Sequence, residues 1–203
     1  MSDFDMVIRG GTVVNAAEIS KCDVGIKDGR IVALGEKLDV GAEEIDATGK
    51  YVMPGGIDSH CHIDQRSSGG GRNSETFESG TRSAACGGTT TIICFAAQEK
   101  GELLTPVVEE YHDKAKQSCI DYSFHLIISD PSDEVMHEEV PKLIKAGHRS
   151  LKLFMTYPRN RLNDAEILRV LEVAKLNQAL VCVHAENHDA IMYLSLIHIS
   201  EPT

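Results

Sequence analysis

Apolar residues fall along this chain in two textures. Up to about residue 53 they form short runs, Met6-Val-Ile, Thr12-Val-Val, Val24-Gly-Ile, Arg30-Ile-Val-Ala-Leu and Tyr51-Val-Met, broken by glycine and polar residues. Such runs read as short strands, with Asp28-Gly29 as a hairpin turn and Thr48-Gly49 as a second turn. Residues 1–53 are therefore expected to be a small β-rich module. Its strands are too few to close a sandwich, so the remaining ones are expected elsewhere in the gene.

From Pro54 onward, apolar strand candidates at 56–62, 89–95, 122–129, 150–157 and 179–185 alternate with helical segments. The first helix, over 75–86, has Ser74 as its N-cap and Gly87-Gly88 as its stop, and the second spans 105–117. The third, over 133–146, holds Pro141 in its interior, which calls for a kink or two short helices. The fourth opens on an Asn163/Glu166 capping box and carries Ile167, Leu171 and Ala174 on one face. Strand ends recur every ~30 residues, the beat of βα units with parallel strands and right-handed crossovers. The expected fold class is α/β, a partial (β/α)8 TIM barrel of about five units over residues 54–193, preceded by part of a β-sandwich. A doubly wound open sheet is the alternative, although no G-x-G-x-x-G or P-loop follows any strand.

Composition narrows the function. With 31 acidic against 20 basic residues, a net charge of −11 and no basic block, binding to a nucleic-acid backbone is not expected. No run of ~18 apolar residues could span a bilayer, and the N-terminus lacks a secretory signal pattern, so a cytoplasmic protein without membrane contact is expected. The six cysteines show no C-x-x-C spacing and read as free thiols in a reducing compartment.

The candidate chemistry lies at strand ends, where barrels of this kind place their working residues. In Ile57-Asp-Ser-His60-Cys61-His62 an extended backbone puts His60 and His62 on one face, as a pair of metal ligands, and turns Cys61 away. Two partly exposed histidines on an edge strand is the plain alternative. Lys152 sits inside the apolar run Leu151-Lys-Leu-Phe-Met. It is either a surface-edge lysine or a desolvated amine that takes up carbon dioxide, giving an anionic carbamate that bridges two cations. His184 ends the fifth strand and is either a ligand opposite the first pair or a satisfied core histidine. His125 is expected to pack or hydrogen-bond, and His112, His137 and His148 to be solvated. His188 could reach the site mouth, and Cys94 by default packs in the core. The Gly-rich loop over 65–73 is expected to be mobile. Arg66, Arg72, Arg159 and Arg161 flank the mouth, either as ordinary solvated arginines or as partners of a polar or anionic ring substituent.

Taken together, Gly10-Gly-Thr, Asp46-Ala-Thr-Gly-Lys-Tyr-Val-Met-Pro-Gly-Gly-Ile-Asp-Ser-His-Cys-His, Ser79-Gly-Thr-Arg-Ser-Ala-Ala-Cys-Gly-Gly-Thr-Thr-Thr, Leu151-Lys-Leu-Phe-Met-Thr-Tyr and His184-Ala-Glu-Asn resemble the dihydropyrimidinases, also called hydantoinases, of the amidohydrolase superfamily. The resemblance covers residues 5–193. It implies a barrel beside a small β-sandwich, two zinc ions bridged by carbamylated Lys152, a cytosolic homotetramer, and hydrolysis of 5,6-dihydropyrimidines or 5-substituted hydantoins to N-carbamoyl amino acids. By the same resemblance, His60 and His62 bind the more buried metal and His184 the second, while Tyr157 hydrogen-bonds the ring carbonyl and its developing oxyanion. The pattern also requires a strand-six histidine and a strand-eight aspartate, which fall beyond this chain, so the polypeptide as written is expected to be inactive. Allantoinase or dihydroorotase activity is a neighbouring reading, and a non-catalytic scaffold of the same fold a more distant one. Residues 194–203 resemble a translated sequencing adapter and are expected to be non-native.

Overall fold

Strands form in this chain mostly where alternate side chains find a face to bury, and several short or edge strands form without that help. The computed structural model describes residues 3–66 and 71–200, and the chain's contacts divide it into two units at Gly55. In the first unit β1 (Phe4–Val14), β2 (Ile19–Lys27), β3 (Arg30–Gly35) and β4 (Gly41–Asp46) pair in the order β3-β2-β1-β4, and the short β5 (Tyr51–Val52) also pairs with β1. The β1–β2 and β2–β3 pairs are antiparallel, whereas β4 and β5 run parallel to β1. Asp28 and Gly29 both take positive φ, 50° and 70°, as the tight turn between β2 and β3 requires.

The first two expected strands are one. A bulge between Ile8 and Gly11 carries β1 through the polar Arg9-Gly10 break, and Gly10 sits at φ 65° with its N–H donating to Asp23 Oδ1 at 2.9 Å. A break in alternation marked a bulge here rather than a strand end. Strand β4 escaped the sequence reading because Gly41-Ala-Glu-Glu-Ile-Asp buries only its first residue. It is held by backbone pairing to β1, which leaves no hydrophobic signature.

The second unit runs β6 (Gly56–Asp58), α1 (Phe77–Cys86), β7 (Thr89–Ala97), α2 (Leu104–Ala115), β8 (Asp121–Ile127), α3 (Val140–Lys145), β9 (Ser150–Phe154), α4 (Asp164–Leu176), β10 (Leu180–His184) and α5 (His188–Ser200). Strands β6 to β10 pair in sequence order and all in parallel, the curled half-barrel of a TIM-type fold. One sheet face carries Ile92, Cys94, Phe124, Leu126, Leu151 and Leu153 into a core against the helices. Period two then forces Phe95, His125, Lys152 and Phe154 onto the other face.

The helix ends follow local chemistry, with corrections. In α1 the capping box is Thr76/Ser79, so Ser74 is not the cap. Asn163 and Glu166 do form the box of α4, but its buried stripe is Val170, Val173 and Ala174, with Leu171 exposed. Pro141, which has no N–H to give, falls at the start of α3 behind a π-helical turn, Val135–Glu139. That turn presents buried Glu139 to the N-terminus of α2, where its carboxylate accepts from the N–H groups of Leu104 and Thr105. A carboxylate is favourable at a helix's positive end, and it takes the place of the side-chain cap that Leu103 cannot provide. Helix α5 continues across residue 194.

Candidate metal centre

The sheet face that turns away from the helices lines a cavity of about 910 Å³, and His60, His62, Lys152, Tyr157 and His184 all contribute to its wall. The two first histidines arrive differently from expectation. β6 ends at Asp58, so His60 and His62 stand on the turn beyond it. This turn keeps the strand's alternation, because the Cys61 N–H reaches Ile93 O at 3.4 Å and its sulfur packs on Cys94. The two imidazoles, 5.4 Å apart between ring centres, both lie against the Phe95 ring at 4.7 Å.

Lys152 is only 7% exposed, and its Nζ makes no hydrogen bond or ion pair among the described residues. Its Nζ lies over two aromatic rings, Phe154 at 5.1 Å and Phe95 at 5.8 Å. No carboxylate partners it among the described residues, and an amine so placed gains from an added negative group. Across the cavity, His184 stacks on Phe154 at 5.7 Å and meets the Tyr157 ring at 5.1 Å. Tyr157 itself sits at φ 68°, a conformation unusual for a bulky residue, with its carbonyl accepting from the N–H groups of Asn160 and Arg161.

Two second-layer groups were not anticipated. The Gln65 side-chain oxygen can only accept, so His62 donates to it through Nδ1 at 2.6 Å and keeps its Nε2 lone pair free. Glu186 likewise accepts from Nε2 of His184, leaving Nδ1 with the free pair. Both partners lie within three residues of their histidine, a spacing that was visible. Burial first, then the nearby His62, Lys152 and His125, holds the His60 imidazole below its ordinary range, which favours the neutral ligand form. Among the described residues no three His, Cys, Asp or Glu side chains gather tightly enough to hold an ion by themselves. A cation in this cavity could use His60, His62 and His184 only with Lys152, or further donors, completing the set.

The other candidates separate cleanly. His125 has both nitrogens engaged, Nδ1 with Ser150 Oγ at 2.6 Å and Nε2 donating to Ser59 O at 2.9 Å, so it braces the residue before His60 and is not free to ligate. His112 and His148 are half-buried rather than fully solvated. Their Nε2 atoms are 3.3 Å apart against Phe124, and burial lowers the pKa of both. His188 bonds Thr156 at 3.2 Å and is absent from the cavity wall.

The four arginines do not act as a group. Arg66 pairs with Glu102 and Glu110, Arg72 with Asp64 and Glu110, and Arg161 with Asp189, so charges invisible as neighbours in the sequence neutralise them. Arg159 lines the cavity without an ion pair among the described residues. The base of the loop expected to be mobile is held by an Arg66–Arg72 bridge and by Asn73 N–H donating to Gln65 O at 3.1 Å. Its Gly69 and Gly70 lie outside the described residues.

Comparison with known proteins now adds to this geometry. The sequence model of the amidohydrolase family matches residues 51–201. The chain belongs to that family. The model of the urease alpha-subunit N-terminal domain matches residues 1–49. A D-hydantoinase of Geobacillus stearothermophilus is 49% identical over 193 residues, 93% of this chain and 41% of that protein. Among solved structures, a D-hydantoinase superposes with a TM-score of 0.93 at 42% identity, over 97% of this chain and 43% of that one. The dihydropyrimidinase of Brevibacillus agri does so with a TM-score of 0.90 at 42% identity, over 96% and 43%. This amidohydrolase chain thus spans about two fifths of the length of the relatives it matches.

Proposed function

We propose that the chain carries one side of the active site of a cyclic-ureide hydrolase, which opens 5-substituted hydantoins or 5,6-dihydropyrimidines to N-carbamoyl amino acids. The observation that carries this reading is Lys152, buried without an anion on a cavity wall shared with three histidines. Carbon dioxide would convert the amine to a carbamate, replacing the uncompensated cation by an anion with two ligand oxygens. The donor set fits two divalent cations such as zinc: His60 and His62 on one side, carbamylated Lys152 between, and His184 on the other. Zinc bound there would supply a hydroxide from water near neutral pH and polarise the ring carbonyl.

The chain's own residues would do the rest. Gln65 and Glu186 fix the ring orientation and tautomer of His62 and His184, so that a free lone pair is presented without rotation. Phe95 and Phe154 present apolar ring faces to the lysine amine. Tyr157, held by its backbone turn at the cavity rim, would donate its O–H to the oxygen that gains charge as the carbonyl becomes tetrahedral. A group outside this chain would deliver the proton to the leaving ring nitrogen. The family names of the relatives favour this substrate class over allantoin or dihydroorotate. A homotetrameric, cytoplasmic enzyme is proposed on the same resemblance, and no helix among the described residues is long and apolar enough to cross a membrane.

The test is ring opening by the complete gene product. Hydrolysis of hydantoin and dihydrouracil that is lost on chelation, restored by zinc and abolished by Lys152→Met supports the reading. Activity that survives chelation and Lys152→Met contradicts it.

A further inference from the structure

The turn that presents His60 and His62 has a second side. Cys61 lies between the two histidines in sequence and points the opposite way, and its sulfur stands 3.4 Å from the sulfur of Cys94. Cys94 is fully buried in the core between the sheet and the helices, whereas Cys61 is only partly buried. All six cysteines are free, and among the described residues this is the one pair of thiols in contact. The hydrolytic mechanism uses neither.

We propose that Cys61 and Cys94 form a modification site for two-electron oxidants of the peroxide class, and that closing it to a disulfide disables the metal centre. The more accessible sulfur, Cys61, attacks a peroxide oxygen and becomes a sulfenic acid, and one water leaves. Cys94 sulfur then attacks the Cys61 sulfur, forming the S–S bond and displacing the second oxygen as water. Two thiols and one hydrogen peroxide thus give one disulfide and two waters, the thiol protons leaving in the waters.

The consequence for the histidines follows from distance. A disulfide needs the sulfurs at about 2.05 Å, well inside the 3.4 Å at which they rest. Cys94 is locked in a packed interior that resists displacement, so the remaining travel falls on the Cys61 side, shared between rotation about its Cα–Cβ bond and displacement of its turn. That turn's extended backbone couples Cys61 directly to both neighbours. A fraction of that travel passed to His60 and His62 is enough to exceed the ~0.2 Å tolerance of metal–ligand distances. The disulfide itself is independent of the function proposed above; the loss of metal rests on it.

The experiment takes the complete, zinc-loaded gene product, adds hydrogen peroxide in small molar excess, blocks free thiols, and maps crosslinked peptides while a chromogenic chelator reads released zinc. The expected result is a Cys61–Cys94 crosslink appearing in step with loss of at least half of the bound zinc. Both should be reversed by dithiothreitol, and both should be absent in Cys61→Ser and, should that variant fold poorly, in Cys61→Ala. Failure of the crosslink to form overturns the site. A crosslink with zinc retained, or equal zinc loss from the Cys61 variants, overturns the coupling. Reduced protein that never binds zinc sinks the functional reading instead, and the crosslink, which is read without metal, distinguishes the two failures.

Discussion

Replacing Lys152 by methionine should change stability in opposite directions with and without metal. Without metal or carbon dioxide, Lys152 is 7% exposed with no anionic partner for its Nζ among the described residues, and an unpaired charge taken fully out of water costs several kcal/mol, less at the wall of an open cavity. The Phe154 and Phe95 faces, at 5.1 and 5.8 Å, offset about 0.5–2 kcal/mol each. The balance is a net penalty of ~1 kcal/mol that methionine, similar in volume and uncharged, removes. With bicarbonate and free zinc at one hundred times its dissociation constant, a single occupied site adds about 2.7 kcal/mol to the wild type, and the variant, lacking the bridge, forgoes that gain. Urea unfolding of the complete gene product, run in parallel in chelator under carbon-dioxide-free buffer and in zinc with bicarbonate, reads both limits. The variant should have the higher midpoint in the first and the lower in the second, with unchanged slopes. A variant less stable in both conditions would show that Lys152 is a structural cation, and the reasoning would fail.

Three further outcomes follow from the geometry. Tyr157→Phe keeps the ring beside His184, so KM should change little, while loss of one oxyanion donor should lower kcat by ~10²–10³; a kcat within threefold of wild type would remove Tyr157 from the chemistry. Burial lowers the pKa of His112 and His148, so protons bind first to the unfolded chain as pH falls through the ordinary histidine value near 6.5. Stability present above that pH should therefore be lost progressively below it, and His112→Phe should flatten the dependence of melting temperature on pH between 7.5 and 5.5. Arg159, the cavity arginine without a carboxylate partner, should favour anionic ring substituents. Arg159→Met should cut kcat/KM for a carboxymethyl-hydantoin about tenfold, in line with one charge-assisted contact, and leave an alkyl-hydantoin unaffected.

What the sequence revealed depended on whether a feature was local. Strands β7 to β10 were legible because each is an apolar run bounded by turn signals, whereas the first strand, expected over 56–62, is the exposed stub Gly56–Asp58. Lys152 faces the cavity for the same reason that Leu151 and Leu153 face the helices. The Asn163 capping box and the Pro141 interruption are likewise contained within a few residues. Features that depend on distant partners were not legible. Glu139 capping α2, Glu102 and Glu110 neutralising Arg66, and His112 meeting His148 all join residues more than thirty positions apart. The exposed strand β4 was missed because pairing, unlike burial, leaves no periodic trace. At the site itself, residue identities were readable, but the engagement of His62 with Gln65 and of His184 with Glu186 needed coordinates.

The central claim is that His60, His62, Lys152 and His184 serve one pair of cations. Crystals of the complete gene product grown with zinc and bicarbonate, with diffraction collected at the zinc edge, test it most directly. Two anomalous peaks in the cavity, one beside His60 and His62 and one beside His184, joined by carbamate density on Lys152, are the predicted result. An unmodified Lys152 amine with no peak near the three imidazoles would contradict it.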